Sequence, residues 1–196
     1  MDERLLIFTK NPILGTAKTR IGKVKGDVVA LDIYRRLLKY TRDLVISLDV
    51  KKIVFFNQFI EEDGIWSDKS FGRKLQVEGD LGMKMSTAIM NEFSEGAQKV
   101  IIIGSDCADL CENDITRAFE QLDSHQVVIG PAVDGGYYLL GMDRYYPELF
   151  KNKPWSAENL LEETIAELEN NKLGFYLLDE KSDIDYWEDW LKLGWD

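Results

Sequence analysis

The sequence predicts a single α/β domain: a mostly parallel, Rossmann-like sheet with helices on both faces. Three observations predict it. Short runs of apolar, β-branched residues recur along the chain, segments of helical spacing lie between them, and loops carrying glycine or aspartate follow the runs directly. Such runs read as strands buried on both faces of a parallel sheet, and their alternation with helices implies right-handed βαβ units. One domain, 1–196, accommodates the 196 residues, because a chain of that length removes roughly 70% of its unfolded surface from water.

The elements follow in order. Strands are expected at "LLIFT" (5–9), "KIVFFN" (52–57), "VIIIG" (100–104) and "VVIG" (127–130), with a later strand at "YYLLGM" and another at "GFYLL". Apolar residues at helical spacing place helices over Val28 to Leu48, Met83 to Phe93, Asp114 to Leu122, Ala157 to Asn170 and Ile184 to Leu193. The stretch 58–74, "QFIEEDGIWSDKSFGRK", has no clean period and is expected to be an irregular connection. Trp187, Trp190 and Trp195 near the end fall at helical spacing and read as packing rather than as a base-stacking surface.

Composition narrows the partners. With 24 basic against 35 acidic residues, a net charge of −11 disfavours general binding to a nucleic-acid backbone, so an anionic ligand must be held by a local cluster. No apolar run approaches the ~20 residues of a membrane span, and "MDERLLIF" lacks the pattern of a secretory signal, so a cytoplasmic protein is expected. Cys107 and Cys111 read as free thiols, and His125, in the turn "DSHQ", as an exposed residue; neither a disulfide framework nor a Cys/His zinc site is available.

Three unusual loops fall at the carboxyl ends of strands, where open α/β sheets bind ligands. In "KNPILGTAKTR", Gly15 permits a tight turn whose backbone N–H groups can face an anion, and Lys10, Lys18 and Arg20 add charge and forked donors around phosphates. Neither a Walker loop nor a dinucleotide fingerprint is present. In "SDCADL", Asp106 stands just beyond a strand and suits a hard cation such as Mg²⁺ or Mn²⁺, while Asp109 reads as a helix N-cap. In "PAVDGGYY", Gly135 and Gly136 allow close backbone approach and Asp134 stands at the mouth of the site; a plain glycine turn between strands is the alternative.

Taken in order, "FTKNPILGTAKTR", "EGDLGMKM", "IIIGSDCADL", "GPAVDGGYYLLG", "KPWS" and "SDIDYWED" resemble the GT-A-fold nucleotide-diphospho-sugar transferase superfamily, in its small bacterial glycosyltransferase-A-like (DUF2064-type) branch. The resemblance spans nearly the whole chain. It implies a GT-A fold in which Lys10, Gly15, Lys18 and Arg20 hold nucleotide phosphates and Gly79 and Asp80, with Leu81 and Gly82, line the nucleoside. It places Asp106 at the metal position, Asp185 near the same divalent metal, and Asp134 against the second substrate. Ala108 stands where the branch often has Pro, and Tyr186-Trp187 replace a usual Thr-Pro.

Three functions remain open on the sequence. One is glycosyl transfer from a nucleotide sugar to a small-molecule acceptor; another is nucleotidyl transfer from a nucleoside triphosphate to a phosphorylated acceptor, with pyrophosphate leaving; the third is a non-catalytic nucleotide-binding module. The first two use the same cradle, because both need positioning and charge neutralisation. A homodimer is compatible with either.

Overall fold

The structure is a computed structural model and describes residues 2–155 and 157–195. Seven strands form one sheet: β1 (Glu3–Thr9), β2 (Lys51–Phe56), β3 (Phe71–Leu75), β4 (Lys99–Ile103), β5 (Val127–Pro131), β6 (Tyr137–Met142) and β7 (Phe175–Leu177). Their order is β3-β2-β1-β4-β6-β5-β7. β6 runs antiparallel to both β4 and β5, and every other pairing is parallel.

The helices are α1 (Thr19–Lys25), α2 (Asp27–Val45), α3 (Leu81–Ser94), α4 (Glu112–Gln121), α5 (Leu160–Asn170) and α6 (Trp187–Leu193). Alternation along the strands divides the core. Leu5, Ile7, Val54, Ile101 and Val128 face Tyr34 and Leu38 of α2 and Ile115 and Phe119 of α4. Leu6, Ile53, Val100, Ile102 and Val127 face Met85 and Ile89 of α3 and Leu168 of α5. Helices therefore cover both faces, as expected, and each large side chain so buried contributes roughly 1.5–3 kcal/mol. A smaller cluster joins Ile21 of α1, Ile33 and Leu37 of α2, Ile184 of the segment before α6, and Trp190 of α6. It brings the end of the chain beside its first loop.

Several boundaries differ from the sequence reading. The stretch 58–74, expected to be irregular, contains from Phe71 onward most of β3, an edge strand whose mixed sequence "FGRKL" has local partners for its charges. Arg73 Nη1 donates to the carbonyl oxygens of Glu61 and Glu62, and Lys74 pairs with Glu92 and Glu95. The helix expected from Val28 to Leu48 ends at Val45, and α1 precedes it beyond a break at Gly26. Ala157–Asn159 precede α5, which starts at Leu160, and α6 starts at Trp187 rather than Ile184.

Asp109 is not the cap of α4. Cys111 takes the N-cap position and its backbone N–H donates to Asp114 Oδ2 at 2.8 Å. His125 is half-buried rather than exposed, against the Tyr176 ring at a centroid distance of 5.5 Å. Both cysteines are free thiols, and the late tryptophans pack together, Trp190 edge-on to Trp195 at 5.7 Å. No helix among the described residues is long and apolar enough to cross a membrane.

Candidate active site

β1 leads through α1 and α2 to β2 on one side, whereas β4 lies on its other side. The strand order therefore diverges at β1 and β4, and the carboxyl ends of these two strands open a crevice. A cleft of about 480 Å³ occupies it.

Its first wall is the loop after β1. Asn11, almost fully buried, anchors this loop: its N–H donates to Asn57 Oδ1 at 2.7 Å, its Nδ2 donates to Phe59 O at 2.9 Å, and its Oδ1 accepts the Gln58 and Phe59 N–H groups at 3.1 and 3.2 Å. Gly15 turns the chain at φ 76, where a side chain would be strained. Lys18 then takes a left-handed conformation, φ 50 and ψ 42, immediately before α1. That conformation turns its side chain inward: only 4% of it is exposed, against 56% for Arg20.

The second wall is the loop after β4, which carries Asp106. Tyr34 of α2 ties the two walls together. Its hydroxyl accepts the Lys10 N–H at 2.8 Å, lies 3.1 Å from Lys10 O as donor, and approaches Thr9 Oγ1 at 3.2 Å and Ser105 Oγ at 3.4 Å. Burial and the Asp106 charge push this phenol's pKa above its ordinary value.

The third wall comes from the end of the chain. Ile184 N–H donates to Asp106 O at 3.0 Å, and Val133 N–H to Lys181 O at 3.0 Å, so residues 181–186 are laid beside the second and third loops. This strap delivers Asp183 and Asp185. Lys18 Nζ lies 2.8 Å from Asp106 Oδ1 and 3.5 Å from Asp185 Oδ1, while Arg20 Nη1 donates to Asp185 Oδ2 at 2.6 Å. Arg20 also stacks over the Tyr186 ring at 5.1 Å. Tyr186 thus adds a cation–π contact to a guanidinium already paired with Asp185.

Charge is concentrated here. Burial alone would depress the Lys18 ammonium, but Asp106, Asp185 and Asp183 more than offset it and raise its pKa. Burial, then the charges of Asp106, Asp134 and Asp185, lift the Asp183 carboxyl to about 7 despite the opposing pull of Lys18. At the opposite mouth Asp134 Oδ1 accepts the Gly136 N–H at 3.0 Å, so this aspartate both shapes the glycine turn and borders the cleft. The Tyr137 hydroxyl, in the same wall, is buried without a hydrogen-bond partner among the described residues.

Of the residues singled out in the sequence, Lys10, Lys18, Arg20, Asp106, Asp134 and Asp185 line this one cleft. Gly15 shapes the loop from outside it. Gly79 and Asp80 also stand outside; Asp80 caps α3, its Oδ1 accepting the Met83 N–H at 2.8 Å, and the next residue, Leu81, is the one that lines the cleft. Ser156 of "KPWS" falls outside the described residues. Asp183 and Tyr34 were missed. The alternation Asp-Ile-Asp in "SDIDYWED" was a signal for the first; Tyr34 had none, lying in the apolar stripe of a helix.

Among the described residues no three His, Cys, Asp or Glu side chains form a ready metal shell. The donors nevertheless fit a hard divalent cation. Asp106 Oδ1 is buried and its one close partner among the described residues is the Lys18 ammonium, in an ion pair without good hydrogen-bond alignment, and Mg²⁺ is commonly held by one or two carboxylates with substrate phosphates completing its shell.

A family model for an uncharacterized protein conserved in bacteria, DUF2064, matches residues 40–157, more than half of the chain. No curated protein matches the sequence. The crystal structure of a candidate nucleotide-diphospho-sugar transferase from Desulfovibrio desulfuricans G20 is similar at TM-score 0.91 and 27% identity, covering 98% of this chain and 86% of that one. The 4-diphosphocytidyl-2C-methyl-D-erythritol synthase of Anaerococcus prevotii DSM 20548 is similar at TM-score 0.65 and 11% identity, over 97% of this chain and 93% of its own. A CMP:2-keto-3-deoxy-manno-octonic acid synthetase complexed with CTP is similar at TM-score 0.61 and 9% identity, over 98% and 97%. These last two share the fold alone.

Proposed function

The chain belongs to the bacterial DUF2064 family, and we propose that it transfers a glycosyl group from a nucleotide-diphospho-sugar to the hydroxyl of a small-molecule acceptor, with Mg²⁺ or Mn²⁺ as cofactor. One observation carries the reading: Lys10, Lys18 and Arg20 converge with Asp106, Asp134, Asp183 and Asp185 in a single cleft at the carboxyl ends of β1 and β4. The likeness to the Desulfovibrio protein supports it, as the match with known nucleotide and nucleotide-sugar transferase folds supports the wider class.

In this reading Lys10, Lys18 and Arg20 hold the donor's phosphates through charge-assisted hydrogen bonds. Asp106 and Asp185 would hold the divalent ion, which supplies neutralisation of the charge that builds on the leaving nucleoside diphosphate. The bond from the sugar's anomeric carbon to the β-phosphate oxygen breaks, and one from that carbon to the acceptor oxygen forms. Asp134, across the cleft, orients the acceptor hydroxyl and takes its proton.

The synthetases that share the fold favour a second reading, nucleotidyl transfer with pyrophosphate release. Incubation with a panel of nucleotide sugars and nucleoside triphosphates, assayed separately for nucleoside diphosphate and pyrophosphate, decides between them. Metal-dependent release of nucleoside diphosphate is expected, lost in Asp106→Asn while the melting temperature holds. Pyrophosphate release that grows with a phosphorylated acceptor would overturn glycosyl transfer in favour of the second reading.

A further inference from the structure

We propose that Lys18 is the resident counter-cation of the aspartate cluster, and that its ammonium and a divalent metal take the same position in turn: metal entry displaces Lys18, which then turns to the donor's phosphates. The inference rests on the reading of Asp106 and Asp185 as the metal-holding residues.

Position is the first argument. Lys18 Nζ lies between Asp106 Oδ1 at 2.8 Å and Asp185 Oδ1 at 3.5 Å. Carboxylate oxygens bind Mg²⁺ or Ca²⁺ at about 2.0–2.6 Å, so an ion placed between these two oxygens falls on the space that Nζ fills. Ammonium and metal exclude one another.

Fit is the second. Elsewhere in the same chain a cation made for permanent pairing looks different. Arg4, near the start of β1, donates to Glu92 Oε2 at 2.6 Å, to Asp2 Oδ1 and Oδ2 at 2.9 and 2.8 Å, and to Glu95 O at 3.0 Å. Every carboxylate oxygen it meets there is aligned with a donor. Asp106 Oδ1, although buried, meets a single donor among the described residues, the Lys18 ammonium at 2.8 Å, in an ion pair without the angular alignment that Arg4 shows. No second donor among the described residues holds this oxygen once the ammonium leaves.

Backbone is the third. Lys18 is one of three non-glycine residues at positive φ among the described residues, a conformation that costs about 1 kcal/mol and persists only where the surroundings enforce it. From this position the side chain caps no backbone group of α1 and meets Asp106 and Asp185 instead. Once a metal neutralises those aspartates the reason for the inward side chain is gone. The freed ammonium is then already at the cleft wall that Arg20 shares.

The test reads metal binding without any turnover. Titrate Mn²⁺ by calorimetry, in the absence of nucleotide, into the parent protein, Lys18→Met and Asp106→Asn, with a thermal melt of each. Removing the competing ammonium should tighten Mn²⁺ binding in Lys18→Met roughly two- to fivefold, the range for an ion pair that is partly exposed. Binding of a nucleoside diphosphate with Mn²⁺ present should weaken in the same variant. A lysine that merely supports the site would move both affinities downward together. Lys18→Arg, which keeps a cation in place, should bind Mn²⁺ no tighter than the parent and serves if Lys18→Met melts early. Unchanged or weaker Mn²⁺ binding in Lys18→Met, with binding still lost in Asp106→Asn, overturns the exchange and leaves the metal site standing. Parent protein that binds no Mn²⁺ through Asp106 overturns both.

Discussion

Replacing Gly135 by alanine should damage the protein far more than replacing its neighbour Gly136, although the two are consecutive in "DGGYY". Gly135 sits at φ +84, and a Cβ built there would lie 1.7 Å from Glu158 O and 2.5 Å from Glu158 C. Those are backbone atoms and cannot swing aside. Gly135 O also accepts the Leu161 N–H at 2.8 Å, which pins the first turn of α5 beside the cleft that Leu160 and Asp134 line. Alanine at positive φ costs about 1 kcal/mol, a lost backbone hydrogen bond about 1 more, and the displaced Leu160 about another 1 through imperfect packing. A destabilisation of roughly 3 kcal/mol lowers the melting temperature of a chain this size by about 6–12 °C. At Gly136 the nearest atom to an added Cβ is Asp134 Oδ1 at 3.2 Å, the end of a side chain. Gly136→Ala should therefore shift the melt by less than about 3 °C. Calorimetric scans of both variants measure the contrast. Equal shifts, or a Gly135→Ala melt within about 2 °C of the parent, would refute the reasoning, because the contact with the backbone before α5 would then be relieved without cost.

Arg20→Ala should weaken a nucleoside diphosphate about tenfold, the lower end for a charge-assisted contact because Arg20 is half exposed, and leave the bare nucleoside nearly unaffected; equal losses for both would place Arg20 away from the phosphates. Asp114→Asn should cost about 1 kcal/mol near neutral pH, as loss of a helix-cap carboxylate does. Burial opposes the Asp114 charge, but the Cys111 N–H and thiol and the Lys181 ammonium outweigh it and hold the carboxyl below its usual range. A depressed carboxyl stabilises the fold above its unfolded pKa, about 3.9, and loses that contribution as pH falls through it toward the folded value. Denaturant midpoints of parent and variant should accordingly converge below about pH 4, and a gap that stays constant with pH would contradict the ion pair.

What could be read from the sequence divides along physical lines. Central strands are shielded on both faces, so β1, β2, β4 and β5 appear as unbroken apolar runs; β3 lies at the sheet's edge, where only Phe71 is buried and the other side chains follow no simple pattern. The antiparallel direction of β6 leaves no mark in "YYLLGM" itself, because a buried strand looks the same either way. Only the shortness of the "AVDGG" connection from β5 hints at a hairpin. In the site, Lys18, Arg20 and Asp106 were legible because chemistry in loops after strands stands out against apolar neighbours. Tyr34 was not, since a phenol among Ala30, Ile33, Leu37 and Leu38 is indistinguishable from a core aromatic until its hydroxyl is seen bonded to Lys10. Nor could sequence reveal that Lys18 is paired, since its partners lie far along the chain, at Asp106 and Asp185.

Two clusters of the same residue types therefore carry opposite meanings. Around Glu92, which is fully buried, Arg4 and Lys74 approach at 2.6 and 2.7 Å and satisfy both oxygens. Removing any member would leave a buried charge exposed to its own desolvation cost, so this cluster holds the sheet to α3 and has nothing to offer a ligand. Around Lys18 the opposite holds on each count: strained backbone, a buried carboxylate oxygen whose one contact is an unaligned ammonium, a carboxyl at Asp183 lifted to about 7, and three aspartates, Asp106, Asp183 and Asp185, beside two ion-paired cations, Lys18 and Arg20. Folding alone gains little from such an arrangement. Its deficits of positive charge and of donors are those that a divalent ion and the phosphates it neutralises would fill, which is why the carboxyl end of β1, rather than its amino end, is the place to look for the substrate.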